Sequence, residues 1–346
     1  MASSPFHYEL PLERIAQEPP AERDGARLLV VRRGGEPELR DGWIRDLPDL
    51  LDEHDLLVVN RSRVFPARLR AERETGGRVE LLLLAESEAR PGVWQAIGRP
   101  MRRLQVGESL WLRAADGPTG DRVEIVGLGD GTLDVAFGQG VNAVALAETL
   151  GETPLPPYIQ RPVGPTAGDR TRYQTVFARE PGSVAAPTAG LHLSERLLES
   201  LRTRGVRVTE VLLHVGPATF LAGQPGRAAL AVEPERYEVP PAARREIEAT
   251  RGRGRVVAVG TTTTRALESA ARAGWPEGLR KTDLVLGPGS EFLAIDALLT
   301  NFHLPDSSLL SLVCGFAGTE RAEAAYRAAL DGPYRFYSYG DAMLVL

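Results

Sequence analysis

The sequence predicts an α/β protein: a larger α/β domain that carries an inserted, small antiparallel β-barrel domain. Three observations predict it. At 256–269 (VVAVGTTTTRALES) an apolar run stops at Gly260, passes through four threonines and continues as a good helix former, which reads as strand, turn and helix. From Ala67 to Phe137 the texture is short strands and tight turns, roughly six strands in about 75 residues, with hairpin signals at Glu74-Thr-Gly-Gly and Asp130-Gly. After Arg170 the α/β texture returns, so the barrel reads as an insertion. With 346 residues the chain exceeds one compact core, and the expected division is 1–65 with 153–346 for the α/β domain and 66–152 for the barrel.

The elements follow in order. Leu28-Leu-Val-Val and Leu56-Leu-Val-Val read as buried strands, with a short helix near Leu47–Asp52 between them. The second strand ends in the polar run Asn60-Arg-Ser-Arg63. Val141–Leu150 reads as a helix, and the Pro-rich LPPYIQRP leads back to the main domain. Ser194 caps a helix to about Thr203 that Gly205 ends. Val206–His214 is a strand, 240–251 a charged helix, and Val256–Gly260 with its helix follows. Asp283-Leu-Val-Leu reads as a strand, Leu309–Phe316 and Thr319–Leu330 as helices, and the apolar end after Met343 as a last strand.

Composition narrows the function classes. Net charge is −5, which argues weakly against an extended grip on a nucleic-acid backbone. The single cysteine, Cys314, excludes an intramolecular disulfide and a cysteine-cluster metal site. No apolar run reaches membrane-spanning length, and the first residues lack a basic and apolar leader pattern. A cytoplasmic monomer without a membrane partner is expected.

Three of five histidines, His192, His214 and His303, lie in polar turns beside apolar runs, where a histidine can serve as general acid or base. Their spacing fits no zinc motif, and no metal is expected. No Walker loop, nucleotide-binding GxGxxG or nucleophile elbow is present. Free backbone N–H groups at the start of the helix after Gly260, with Thr261, Thr262 and Arg265, suit a polar ligand.

Seven motifs together resemble one family: NRSRVFPARL (60–69), AAPTAGLHLS (185–194), HVGPATF (214–220), AVGTTTTRALES (258–269), LLTNFHLPDSSLLSLV (298–313), FAG (316–318) and YRFYSYGDAMLVL (334–346). The N-terminal stretch at 8–30 fits as well. They look like the S-adenosylmethionine:tRNA ribosyltransferase-isomerase family of queuosine biosynthesis, nearly end to end and in the same order. The resemblance implies transfer of the ribosyl part of S-adenosylmethionine to the aminomethyl group of a 7-deazaguanine in tRNA, isomerisation, and release of adenine and methionine. It implies S-adenosylmethionine as a substrate rather than a cofactor, tRNA as partner, and an α/β domain with an inserted barrel. The sulfonium acidifies the neighbouring C5′–H, so the chemistry needs a base and oriented donors. Some positions differ from the family's usual pattern: Pro217-Ala218 within HVGPATF, Ser290 after Pro288-Gly289, and Asp306 after TNFHLP. Two alternatives stand beside this reading: a relative acting on a different amine acceptor, and a binding protein without catalysis.

The expected site follows from strand ends and helix starts. Thr188, Gly190, His192, His214, Gly216, Thr261, Thr262, Arg265, Asn301 and His303 are expected to line one pocket. Asn60, Arg63, Thr219 and Asp341 are further binding candidates. His192 is expected as the base, slightly ahead of His303 and His214, because a nearby helix N-terminus disfavours imidazolium.

Overall fold

The computed structural model describes residues 7–34, 38–114, 117–129, 131–217 and 234–346. The strands in chain order begin with β1 (Arg27–Val31), β2 (Leu39–Trp43), β3 (Leu56–Asn60) and β4 (Ser62–Val64). Then come β5 (Arg68–Arg73), β6 (Arg78–Glu86), β7 (Val93–Arg99), β8 (Ser109–Ala114), β9 (Gly117–Leu128) and β10 (Leu133–Phe137). The chain returns through β11 (Glu180–Ser183), β12 (Arg207–Leu213), β13 (Glu235–Glu238), β14 (Val256–Val259), β15 (Arg280–Thr282), β16 (Ala297–Asn301) and β17 (Ala342–Val345). The helices are α1 (Leu47–Leu50), α2 (Ala143–Leu150), α3 (Ala167–Arg172), α4 (Glu195–Thr203), α5 (Pro241–Thr250), α6 (Thr261–Arg272), α7 (Ser308–Ala317) and α8 (Thr319–Asp331).

A nine-stranded sheet runs β15-β13-β12-β3-β14-β16-β17-β1-β2. Its centre, β12, β3, β14 and β16, is parallel, and β17 lies antiparallel beside β16 with Asn301 opposite Ala342. These central strands are apolar runs because both faces are covered. On one face Leu56, Val58, Val256, Ala258 and Leu298 pack with residues of α5 to α8. On the other, Leu57, Val59, Val257, Val259 and Leu299 pack with α4 and with Ala189 of a 3₁₀ turn at Thr188–His192. Odd and even residues thus serve opposite layers, as the pleat requires.

The inserted strands close into a barrel, β10-β7-β6-β5-β8-β9, around inward residues such as Leu69, Ala71, Leu81, Leu83, Leu110 and Val135. Closure leaves no free edge within it. Helix α2 covers one side through Ala143 and Ala147, and a small parallel pair, β4 with β11, lies beside the entry to the barrel.

The α/β class with a barrel is therefore as expected. One detail differs. Asp283–Leu286 is not a strand: its predecessor Arg280–Thr282 pairs with β13 instead, while the apolar side chain of Leu286 packs into the core from a coil. The threonines after Gly260 do not cap α6, whose N-cap is Gly260 itself with no side-chain cap. Thr263 and Thr264 turn their hydroxyls back onto the Val259 and Gly260 carbonyls, at 2.7 and 3.2 Å. Among the described residues no helix is long and apolar enough to cross a membrane.

Candidate active site

The carboxyl ends of the four parallel strands bring the sequence candidates to one edge of the sheet. Asn60 ends β3, His214 follows β12, Gly260 to Thr262 follow β14, and Asn301 ends β16. This is where open parallel sheets hold ligands. Gly260 has φ +90°, and a Cβ there would lie 3.5 Å from Ala189 Cβ and 3.7 Å from Thr262 Oγ1. The Thr188–His192 turn therefore lies directly over the start of α6. Gly190 is packed as tightly: a Cβ would stand 2.8 Å from Phe177 and 2.9 Å from Thr175.

His192 and His303 leave opposite faces of β16. His192 Nε2 lies 3.0 Å from Asn301 Nδ2, on the face of Leu299 and Ala189. His303 Nε2 lies 2.7 Å from the Thr300 hydroxyl, on the face of Leu298 and Phe302. Because Thr300 and Asn301 are successive strand residues, their side chains diverge and take the histidines with them. This corrects the expectation of one pocket lined by all three histidines. The His303 backbone is also held, its carbonyl by the Tyr8 hydroxyl and its N–H by Tyr326 at 2.8 Å.

His214 lies at the other end of the parallel strands' edge. It lines a cleft of ≈ 560 Å³ between the sheet and the β6–β7 end of the barrel, with Gly216, Glu235, Arg236, Gln95 and Glu88. A Cβ on Gly182, whose φ is +140°, would lie 2.6 Å from His214 Nδ1, so only glycine admits the ring there. Beside it is a feature the sequence reading missed. Glu235 accepts from the Gly216 N–H at 2.7 Å and from the Arg265 guanidinium, both Glu235 and Arg265 being buried. Arg265 Nε donates to the Leu284 carbonyl at 3.0 Å.

All three imidazoles are neutral at physiological pH. Burial, with Arg335 and Arg23 adding like charge, pushes His192 from 6.5 down to about 4. Burial with Arg236 and Arg61 does the same for His214, also to about 4. Burial alone takes His303 there.

The remaining candidates divide by what their polar atoms already do. Asn60 spends its amide on the backbone of Leu213 at 2.9 and 3.0 Å and on Ser62 N at 3.1 Å, tying β3 to β12. The Asp341 carboxylate clamps the N–H groups of Arg27 and Arg335 at 2.8 and 2.7 Å. Arg63 reaches Glu148 on α2 at 2.7 Å. Thr188 is half-buried at the head of its turn, and Thr261 is buried at the start of α6. Thr219 lies outside the described residues.

Four other candidates each keep a buried atom without a partner: His214 Nδ1, Thr262 Oγ1, Arg265 Nη2 and Asn301 Oδ1. Ser62 Oγ and Thr175 Oγ1, close to Asn60 and Gly190, are in the same condition. Native folds rarely leave such atoms without a reason.

Comparison with known proteins fixes the family. Residues 3–345 match the family described as queuosine biosynthesis protein. An S-adenosylmethionine:tRNA ribosyltransferase-isomerase of Anaeromyxobacter sp. (strain Fw109-5) is 50% identical over 350 residues, covering 100% of this chain and 99% of that one. The protein so named from Thermus thermophilus is 46% identical, covering 99% and 98%. The crystal structure of an S-adenosylmethionine tRNA ribosyltransferase from Thermotoga maritima is 37% identical, covers 99% of this chain and 100% of that one, and superimposes with a TM-score of 0.56. The chain belongs to this family. Its motif residues in this member are those gathered at the carboxyl edge: TAGLH forms the 3₁₀ turn, GTTTTR the start of α6 and TN the end of β16. Nothing local to Glu235 marks its pairing with Arg265, thirty residues on.

Proposed function

We propose that the carboxyl edge of the parallel strands is where S-adenosylmethionine and the acceptor nucleotide meet. The reaction is the family's. The ribosyl part of S-adenosylmethionine passes to the aminomethyl group of 7-aminomethyl-7-deazaguanine in tRNA and is isomerised, giving epoxyqueuosine, adenine and methionine. Full-length identity near one half leaves no ground for a non-catalytic descendant or for a different acceptor. The single observation that supports the location is the set of unpartnered buried atoms on His214, Thr262, Arg265 and Asn301. Desolvated donors and acceptors fixed before the substrate arrives are what stabilise developing charge.

Within that edge His214 is the proposed base. It is neutral, it lines the cleft, and its ring makes no hydrogen bond among the described residues. The nitrogens Nε2 of His192 and of His303 are engaged by Asn301 and Thr300. The Gly216–Glu235–Arg265 chain holds the segment after His214 in place, and Arg265 Nη2 offers two N–H donors to an anionic part of a substrate. Residues 66–152 act as an inserted unit in this reading, because the cleft has barrel residues on one wall. A tRNA substrate suits the cytoplasm.

The test uses the protein, S-adenosylmethionine and tRNA carrying the deazaguanine precursor, with adenine release and the modified nucleoside as readouts. His214→Ala should still bind S-adenosylmethionine but lose solvent exchange of the C5′ hydrogen. Exchange at the wild-type rate would remove His214 as the base.

A further inference from the structure

His192 has two ring nitrogens with different surroundings. Nε2 faces the Asn301 amide nitrogen at 3.0 Å, while Nδ1 makes no hydrogen bond among the described residues. The same Asn301 Nδ2 lies 3.0 Å from the Tyr337 carbonyl. A carbonyl only accepts, so the side of the amide that faces Tyr337 is its NH₂ group. Turning the amide over would set Asn301 Oδ1 against the Tyr337 oxygen. One hydrogen of Nδ2 therefore goes to Tyr337, and the other to His192 Nε2. An imidazole nitrogen that accepts carries no proton, so in the neutral ring the proton is on Nδ1.

The backbone that aims the carbonyl is unusual. Tyr337 has φ +71°, a left-handed conformation that non-glycine residues seldom adopt. Its own N–H is tied to the Phe302 carbonyl at 3.2 Å, and Gly340 N–H closes the turn on the Tyr337 carbonyl at 3.0 Å. Its ring packs against Tyr158 at a tilt of 42°, centroids 4.6 Å apart, and Tyr158 bonds to Ser338 at 2.7 Å. Such conformations persist only where the surroundings over-determine them, and they cluster at functional sites.

We infer that the Tyr337 carbonyl and the Asn301 amide lock His192 as the Nδ1–H tautomer, so that His192 meets the substrate as a hydrogen-bond donor and not as the proton acceptor. Asn301 is a positioning residue for His192, and its unpartnered Oδ1 is an acceptor left for a hydroxyl or amino group of the ligand. The donor suits a purine leaving group, whose ring nitrogens gain electron density as the glycosidic bond breaks. No proton is transferred from His192 in this role. The inference rests on the site reading above, and deepens it.

The experiment is nitrogen-15 NMR of the histidine-labelled wild-type protein at neutral pH, with His192 assigned by the loss of its signals in His192→Gln. The expected spectrum has a protonated Nδ1 and a bare Nε2. A protonated Nε2 in the wild type would overturn the inference, whatever any variant does. Asn301→Asp presents only acceptors to Nε2 and should shift the proton there. It should also lower the rate of adenine release by about 10²-fold, the effect of losing one fixed donor. A normal rate with a shifted tautomer would also overturn the donor role. Failure of the site reading has a different signature: the locked tautomer would be seen, but His192→Gln would release adenine as the wild type does.

Discussion

The two ends of the parallel strands use their polar atoms differently. The amino end borders the larger opening, ≈ 880 Å³, lined by Leu51–Asp55, Arg204 and 252–255. Its buried carboxylate is fully matched. Asp55 accepts from Arg255 N at 2.7 Å, from Arg255 Nη2 at 2.6 Å and from Asp52 N at 2.9 Å. The carboxyl end borders a smaller cleft, yet His214, Thr262, Arg265 and Asn301 there each hold a buried atom with no partner. Size alone would choose the amino end. A completed hydrogen-bond network supports the fold, whereas an incomplete one is shaped for something else to complete it.

The sharpest way to break this comparison is at the carboxyl end. His214→Ala should lower adenine release by about 10²- to 10⁴-fold, the range for loss of a general base, with thermal stability nearly unchanged. A loss below tenfold would equate the two ends. Arg265→Met comes next. It leaves the Glu235 carboxylate buried without its cation, so stability should fall by about 3 kcal/mol together with activity. Urea denaturation in parallel with turnover separates the two losses.

At the amino end the pattern should invert. Asp55→Ala should cost about 2 kcal/mol of stability by leaving the backbone N–H groups of Asp52 and Arg255 without their acceptor, while the folded fraction keeps the wild-type rate. A rate that falls out of proportion to folding would give that end a part in the chemistry. The smallest effect is expected at Arg204, whose partner Asp49 is exposed: Arg204→Ala should change stability by less than about 0.5 kcal/mol and leave turnover alone.

The histidines add a dependence on pH. His192 and His303 have folded values of about 4, below the ordinary 6.5. The unfolded chain therefore takes up protons first as pH falls. Their contribution is fully present above pH 6.5 and is lost as pH drops toward 4, by about 3 kcal/mol for each. Denaturation midpoints at pH 7 and pH 4.5 should differ less for His303→Gln than for the wild type.

Much of this was legible in the sequence because its causes are local. Val256–Gly260 announces a buried strand, Ser194 caps α4 by accepting from Leu197 N at 3.1 Å, and the change of texture after Pro66 marks the barrel. What could not be read has causes distant in the chain. The divergence of His192 and His303 depends on which face of β16 each neighbour takes. Tyr337 gains its role from a left-handed backbone that no composition signals. β2 and β13, short and mixed in polarity, are strands only because a neighbour offers them an edge.

Strand β17 stands between β16 and β1, although β1 is made some three hundred residues before it. A chain still on the ribosome short of residue 342 cannot join these two strands. Leu28–Val31 and Ala297–Asn301 then each present a bare apolar edge, the kind that recruits strands from neighbouring chains. Asn301, which faces Ala342, acquires its final setting only when that last strand arrives. Interrupted translation products of this protein should therefore be inactive and sticky in the same degree, and proteases that clear them would find β1 and β16 unshielded.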